Sequence, residues 1–453
     1  MVKRKAAPEA LIALGAVALR DRLASGALRA VDLASACLEV IAAREPEVQA
    51  WAWLDSDHVL KQAEALDLKR KQGRPIGPLH GLPVGLKDII DTAKIPTENG
   101  TALDRGRVPR EDAFIVARLK QAGAVIMGKT VTTELAFLNS AKTTNPHNSE
   151  HTPGGSSSGS AAAVAANMVP LSIGTQTGGS IIRPGSYCGV TAFKPTFGMV
   201  PRTGVLRSAP TLDTIGVYGH SVEDAALLAD VLAGHDPLDP ATSPIPSPRL
   251  YETASAKPPL KPVFAFVRPF GWDQAEPEMQ EAVVELVEFL GEQCFEVALP
   301  RAFEEALQQH RTIYAAEMAK WYYPYEKRGG DNLPASVKTL MSEGKSLPAR
   351  DYIAALDWTA LLNGALGEIF ERCDAMIMPA ATGPAPKGFE TTGNPIFNSV
   401  WTLCGTPAVS IPIFAAGNGL PMGLQLVGPR DGDGRLLRTA RWLVEHVKQA
   451  DAA

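Results

Sequence analysis

Short apolar runs alternate with helical patterns along most of this chain, and no other feature narrows the fold so far. The runs fall at 83–90, 124–128, 170–175, 189–194, 263–267, 295–299, 375–378, 408–414 and 423–427. Helical spacing lies between several of them, at 112–122, 221–234, 277–293 and 433–447. Three further helical stretches precede them, at 9–24, 31–43 and 57–72, where Leu33, Cys37, Val40 and Ile41 mark one apolar face. Runs this short and this apolar suit strands covered on both faces, with the intervening helices supplying the cover. The expected class is therefore α/β, with a largely buried sheet.

We read one domain over 1–453: N-terminal helices to 75, a core from 76 to 235, and a C-terminal part from 263. A connection at 237–262 carries eight prolines and is expected to cross the surface, because strand-like runs of the same type resume after it. The helical stretch 301–371 carries Tyr314, Trp321, Tyr322, Tyr323, Tyr325 and Trp358. Two readings stand for these aromatics: a cover over a substrate pocket, or packing between helices.

Composition excludes several classes. At 453 residues, with 45% hydrophobic and 21% charged residues, the chain can bury a core that needs neither disulfides nor a structural metal. A net charge of −5 offers no electrostatic footprint for nucleic acid. The five cysteines are widely spaced and form no CxxC, as expected of buried thiols in a reducing compartment. Residues 1–5 are basic and 10–19 apolar, which resembles a signal peptide. Pro8 and Glu9 precede the apolar stretch and Arg20, Asp21 and Arg22 follow it, so we read an amphipathic helix and expect a cytoplasmic protein. No run of 18 apolar residues occurs, so no membrane span is expected.

One motif is misleading. Residues 123–130 read G-A-V-I-M-G-K-T and match GxxxxGK[ST]. A phosphate loop needs its strand before the first glycine, whereas here the apolar stretch inside the match is itself the strand. No nucleotide site is expected.

The segment 152–195 carries the chemistry. A Gly/Ser block, T-P-G-G-S-S-S-G-S, runs into an alanine-rich helix, where Ser158 or Ser160 is placed to cap the start. An apolar strand then ends in Gly178-Gly179-Ser180. A serine at a tight turn beyond a strand suits acyl transfer. The N–H groups of Thr177, Gly178, Gly179 and Ser180 can converge on an oxyanion, and glycines admit the substrate to the backbone. The serine needs a base. Eight histidines are present, including His151 and His220, but no Gly-x-Ser-x-Gly elbow surrounds Ser180. Lys87 is the better candidate. It sits in an apolar run, where burial lowers a lysine's pKa. The other reading of Lys87 is a buried lysine paired with Asp88 or Asp91.

Together these residues resemble the amidase signature family. The likeness runs through H-G-L-P-V-G-L-K-D at 80–88, residues 123–137, the Gly/Ser block at 154–160, and G-T-Q-T-G-G-S at 174–180. It continues at 189–196, at L-D-T-I-G-V over 212–217, and at W-T-L-C-G-T-P-A-V-S-I-P over 401–412. The resemblance implies one α/β domain on a large, mixed, twisted sheet covered by helices. It implies Ser180 as nucleophile, bridged to Lys87 by Ser156 after a cis peptide bond between Gly155 and Ser156. It implies no metal and no organic cofactor.

Two departures matter. Gln176 stands where the family commonly has aspartate, and Arg183 falls one position later than the usual arginine. Both resemble malonamidase-like members, in which that arginine can grip a substrate carboxylate. For Arg183, substrate binding and a structural ion pair stay open; Gly155, Arg207 and Arg202 are further pocket candidates.

The expected function is hydrolysis of a carbon–nitrogen amide bond in a small molecule through an acyl-enzyme, with a homodimer as default assembly. Alternatives are a carbamate, urethane, ester or aryl-amide hydrolase with an apolar pocket. Further off stand an amidotransferase subunit with a protein partner and a non-catalytic binding protein.

Overall fold

The apolar runs become strands, and two strands lie outside them. The computed structural model describes residues 7–244 and 246–451. The basic stretch at 1–5 lies outside the described residues. The first five strands are β1 (Trp51–Leu54), β2 (Pro83–Lys87), β3 (Val125–Thr130), β4 (Leu171–Gln176) and β5 (Thr191–Lys194). The next three are β6 (Thr214–Gly219), β7 (Phe264–Val267) and β8 (Cys294–Val297). The last are β9 (Ala375–Pro379), β10 (Ala408–Ala415) and β11 (Pro421–Val427).

They form one 11-stranded sheet in the order β1-β3-β2-β4-β6-β5-β10-β11-β9-β7-β8. The sheet is mixed. β2 runs parallel to both β3 and β4, while β6 is antiparallel to β4 and β5. Helices supply the cover, as in Ala30–Val48 and Val222–Leu232, whose apolar faces join the main core. The class is α/β in a single domain, as the alternation suggested. Helices Pro8–Ile12 and Gly15–Ser25 bury Ile12, Ala16, Leu19 and Leu23 in that core. No helix among the described residues is long and apolar enough to cross a membrane.

The strands missed by the apolar count are β1 and β6. β1 is four residues long, and β6 (T-I-G-V-Y-G) is interrupted by glycine. That glycine has a steric cause. A Cβ on Gly216 would lie 2.4 Å from the carbonyl oxygen of Phe193 on β5 and 2.4 Å from Ile181 Cδ1. Gly216→Ala is therefore expected to destabilise the protein by about 1–3 kcal/mol, as overpacking does. A lower urea midpoint at unchanged slope would record it.

Topology sets the site. β2 and β4 are parallel neighbours, with Leu86 in register with Ile173. Their C-terminal ends therefore present Lys87 and Thr175 side by side. The lysine of the phosphate-loop look-alike, Lys129, is buried inside β3, where its Nζ bonds the carbonyl of Ile90 and Thr97 Oγ1. An in-strand lysine with these partners cannot cradle phosphate.

The 237–262 connection is not purely superficial. Its helix Leu250–Ser255 buries Leu250 and Ala254, and Asp239 pairs with Arg202 at 2.7 Å. The aromatics at 301–371 divide between the two readings. Tyr322 and Tyr325 pack between helices, each with its hydroxyl bonded, to the Leu135 carbonyl and to Asp104. Trp358 packs against a second hydrophobic cluster, with Leu362, Leu366 and Trp401 in it. Tyr314 and Trp321 instead line cavities.

Candidate active site

The Gly/Ser block is tied to the sheet. Ser157 Oγ donates to the Thr175 carbonyl at 3.2 Å, and Ser160 Oγ donates to the Ile173 carbonyl at 2.9 Å. These bonds bolt helix Ser158–Ala165 onto β4. The expectation that Ser158 or Ser160 caps this helix is corrected. Both lie inside it, and Ser158 Oγ donates back to the Gly154 carbonyl at 2.7 Å. Close packing against the sheet explains the difference: a Cβ on Gly159 would stand 2.3 Å from the Ala50 carbonyl oxygen. Ser160 reaches the sheet instead of the helix's own first turn. The peptide bond between Gly155 and Ser156 is cis.

Lys87 is fully buried, with Nζ 2.7 Å from Ser156 Oγ and 2.9 Å from Thr175 Oγ1. Neither Asp88 nor Asp91 partners it. Asp88 lies 3.9 Å from Lys129, and Asp91 holds Arg107 at 2.6 Å. Burial drives the Lys87 pKa well below the ordinary lysine value, and the more distant Asp213 opposes that only in part. Such burial favours the neutral amine. It has two hydrogens and one lone pair, so it can donate to Thr175 while accepting from Ser156.

Ser180 is half-exposed on a cavity of about 240 Å³, walled by Phe137, Leu138, His310, Tyr314, Leu340 and Arg183. The turn before it is anchored on three sides. Gln176 Oε1 accepts from the N–H groups of Ile181 and Ile182 at 2.9 and 3.1 Å. Thr177 Oγ1 donates to Asp213 at 2.6 Å. Tyr218 donates to the Ser180 carbonyl at 3.2 Å. The neutral amide at 176 therefore does the anchoring that a carboxylate would do. Among the described residues, the N–H groups of Thr177, Gly178, Gly179 and Ser180 donate to no protein acceptor.

Arg183 is buried on the same cavity. Its Nε donates to the Thr392 carbonyl at 2.7 Å and its Nη2 to the Gly155 carbonyl at 2.7 Å. Its Nη1 has no partner, and no carboxylate of the described residues pairs with it. Burial lowers its pKa to about 10, so it stays a cation at neutral pH. Arg207 is not brought to this cavity. It lies exposed on a second one of about 170 Å³, stacked over Trp321 at 4.9 Å. Arg202 lines that cavity too, but its guanidinium is held by Asp239 and by the carbonyl of Asp213.

A family model described as Amidase matches residues 32–437. The chain belongs to the amidase family. Action on amide carbon–nitrogen bonds goes with that membership. This amidase is similar to a glutamyl-tRNA(Gln) amidotransferase subunit of Chloroflexus aggregans, at 33% identity over 93% of this chain and 94% of that one. The same-named protein of Geobacter metallireducens is 35% identical over 93% and 95%. Among solved structures, one chain comes from a vestigial protein complex bearing on the origins of an s-triazine catabolic enzyme. It superposes with a TM-score of 0.88 at 29% identity, over 95% of this chain and 98% of that one. The native peptide amidase of Stenotrophomonas maltophilia has a TM-score of 0.79 at 27% identity, over 95% and 96%. The amidotransferase reading, placed late from sequence, is thus the one whose name these curated relatives carry.

Four residues at the site were not singled out from sequence. Asp213 and Thr402 stood inside quoted motifs, whose chemistry was not read. His310 and Thr392 lie in a stretch without motifs, and only folding brings them to the turn.

Proposed function

We propose that this chain hydrolyses small amides carrying an acyl-side carboxylate, through an acyl-enzyme on Ser180. The observation that carries the proposal is Lys87: fully buried, without a carboxylate partner, its Nζ 2.7 Å from Ser156 Oγ. In this reaction the neutral Lys87 amine takes the proton of Ser156 as Ser156 takes that of Ser180. The Ser180 oxygen adds to the carbonyl carbon. Free N–H groups of the 177–180 turn receive the oxyanion. The tetrahedral adduct collapses with the C–N bond breaking, and the relay returns the proton to the departing amine. Water then attacks the ester by the same route, releasing acid and restoring Ser180.

Arg183 supports the choice of substrate. A buried guanidinium with an idle Nη1 on the nucleophile's cavity matches a carboxylate. Arg183→Met is expected to lower kcat/KM for carboxylate-bearing amides by about ten- to hundredfold relative to uncharged amides, the worth of a hydrogen bond to a charged group. The ratio between substrates is the readout, so a general loss of fold does not imitate it. Equal loss on both substrates would contradict the assignment and favour the apolar-pocket alternative of carbamates, esters or anilides.

A second reading rests on the names of the curated relatives: one component of a glutamine-dependent amidotransferase. It requires ammonia release from glutamine and a stable protein partner. A glutamine assay on the lone chain, with its mass in solution and that of any co-purifying protein, separates the two.

A further inference from the structure

The 177–180 turn has a second set of contacts, made through its carbonyl oxygens. His310 Nε2 lies 2.7 Å from the carbonyl oxygen of Thr177. That oxygen can only accept, so Nε2 carries the hydrogen and donates. Thr402 Oγ1 donates to the carbonyl of Gly178 at 2.8 Å. The Gly179 carbonyl accepts from the N–H of Arg183 at 3.0 Å. In a trans peptide the C=O and the next residue's N–H point in opposite directions. Holding the Thr177 and Gly178 carbonyls therefore fixes the N–H groups of Gly178 and Gly179 in the opposite directions. Both of those N–H groups are free of protein acceptors among the described residues.

The Thr402 contact also has a direction. A hydroxyl has one hydrogen, and three groups surround this one, one donor and two acceptors. Gln176 Nε2 donates to Thr402 Oγ1 at 3.0 Å, and the carbonyls of Gly178 and Asn398 stand at 2.8 and 3.3 Å. Because the amide at 176 donates, the Thr402 hydrogen must go to a carbonyl, and the Gly178 oxygen is the nearer. A carboxylate at 176 would accept that hydrogen and leave the Gly178 oxygen unheld. Gln176 is held in this orientation by its other end, whose oxygen accepts from Ile181 and Ile182.

We propose that His310 and Thr402, with Gln176 setting the direction of the Thr402 hydroxyl, are positioning residues that aim the Gly178 and Gly179 N–H groups at the developing oxyanion. This rests on the hydrolase reading above. None of the three needs to touch the substrate. Each acts through a peptide plane, and each hydrogen bond to a carbonyl also polarises the N–H of the same peptide unit.

Three variants test the clamp. Thr402→Val removes the hydroxyl at nearly constant shape. Gln176→Glu keeps both acceptor contacts to Ile181 and Ile182 and reverses the Thr402 hydrogen. Thr402→Ser restores the hydroxyl. Thr402→Val and Gln176→Glu are each expected to lower kcat by about ten- to a thousandfold with KM within about threefold, the scale of a lost oxyanion donor. Thr402→Ser should stay within about threefold of wild type. Peptide orientation is read independently, from crystal structures of wild type and variants. The expected result is a rotated Gly178–Gly179 peptide in Thr402→Val and Gln176→Glu alone. If the hydrolase reading fails, the wild type shows no amide turnover while those peptide rotations still appear. If the clamp fails, both variants keep the wild-type peptide orientation, and any loss of kcat has another origin. A wild-type kcat in Gln176→Glu would overturn it equally.

Discussion

Replacing Lys87 by methionine is expected to lower kcat by about a hundred- to ten-thousandfold, the range of a lost general base, with KM little changed. The fold should not suffer. Lys87 is fully buried and its charged form is penalised by that burial. Its folded pKa lies below its unfolded value, so the unfolded state binds the extra proton. The stability this group contributes therefore rises with pH across the window between the two values. Methionine removes the dependence. The variant should melt at or above the wild-type temperature, and by the widest margin at acidic pH. In the wild type, kcat/KM should rise with pH as the amine loses its proton and level off well below the ordinary lysine pKa of about 10.4. Steady-state kinetics from about pH 5 to 10 and melting at the same pH values check both. A methionine variant with near wild-type kcat would remove Lys87 from the base role.

Ser180→Ala should reduce turnover by about five to six powers of ten, to the detection limit, because no other group can form the acyl intermediate. Substrate binding should survive. The cavity keeps its walls, Arg183 keeps Thr392 and Gly155, and the turn stays anchored through Gln176 and Asp213. Equilibrium binding of a carboxylate-bearing amide to the alanine variant, beside its turnover, separates the two effects. Residual activity within about a hundredfold of wild type would mean that another group carries the reaction.

The sheet was legible because burial on both faces leaves its strands as bare apolar runs. β6 escaped because neighbouring β5 demands glycine at 216, which breaks such a run. The positions of Lys87 and Ser180 were legible for a related reason: Lys87 ends β2, Ser180 follows the end of β4 on the Gly-Gly turn, and β2 and β4 pair in parallel. The distant contacts were not. His310 comes from helix Ala306–Trp321, and nothing in its neighbourhood of the sequence marks it. Arg183 could be weighed but not decided from sequence, because the missing carboxylate partner is visible only in the fold. Arg207 illustrates the converse. A free arginine near the motif was expected at the pocket, yet its chain segment turns it toward Trp321 and solvent.

The most direct test is the rate at which a serine-directed fluorophosphonate labels the protein, followed by intact mass and peptide mapping across pH. A single adduct on Ser180 is expected. Its rate should climb with pH and level off well before an exposed lysine would titrate, while Lys87→Met labels about a hundredfold more slowly without that climb. Labelling of the methionine variant at the wild-type rate, or an adduct elsewhere in the chain, would contradict a neutral buried amine acting on Ser180 through Ser156.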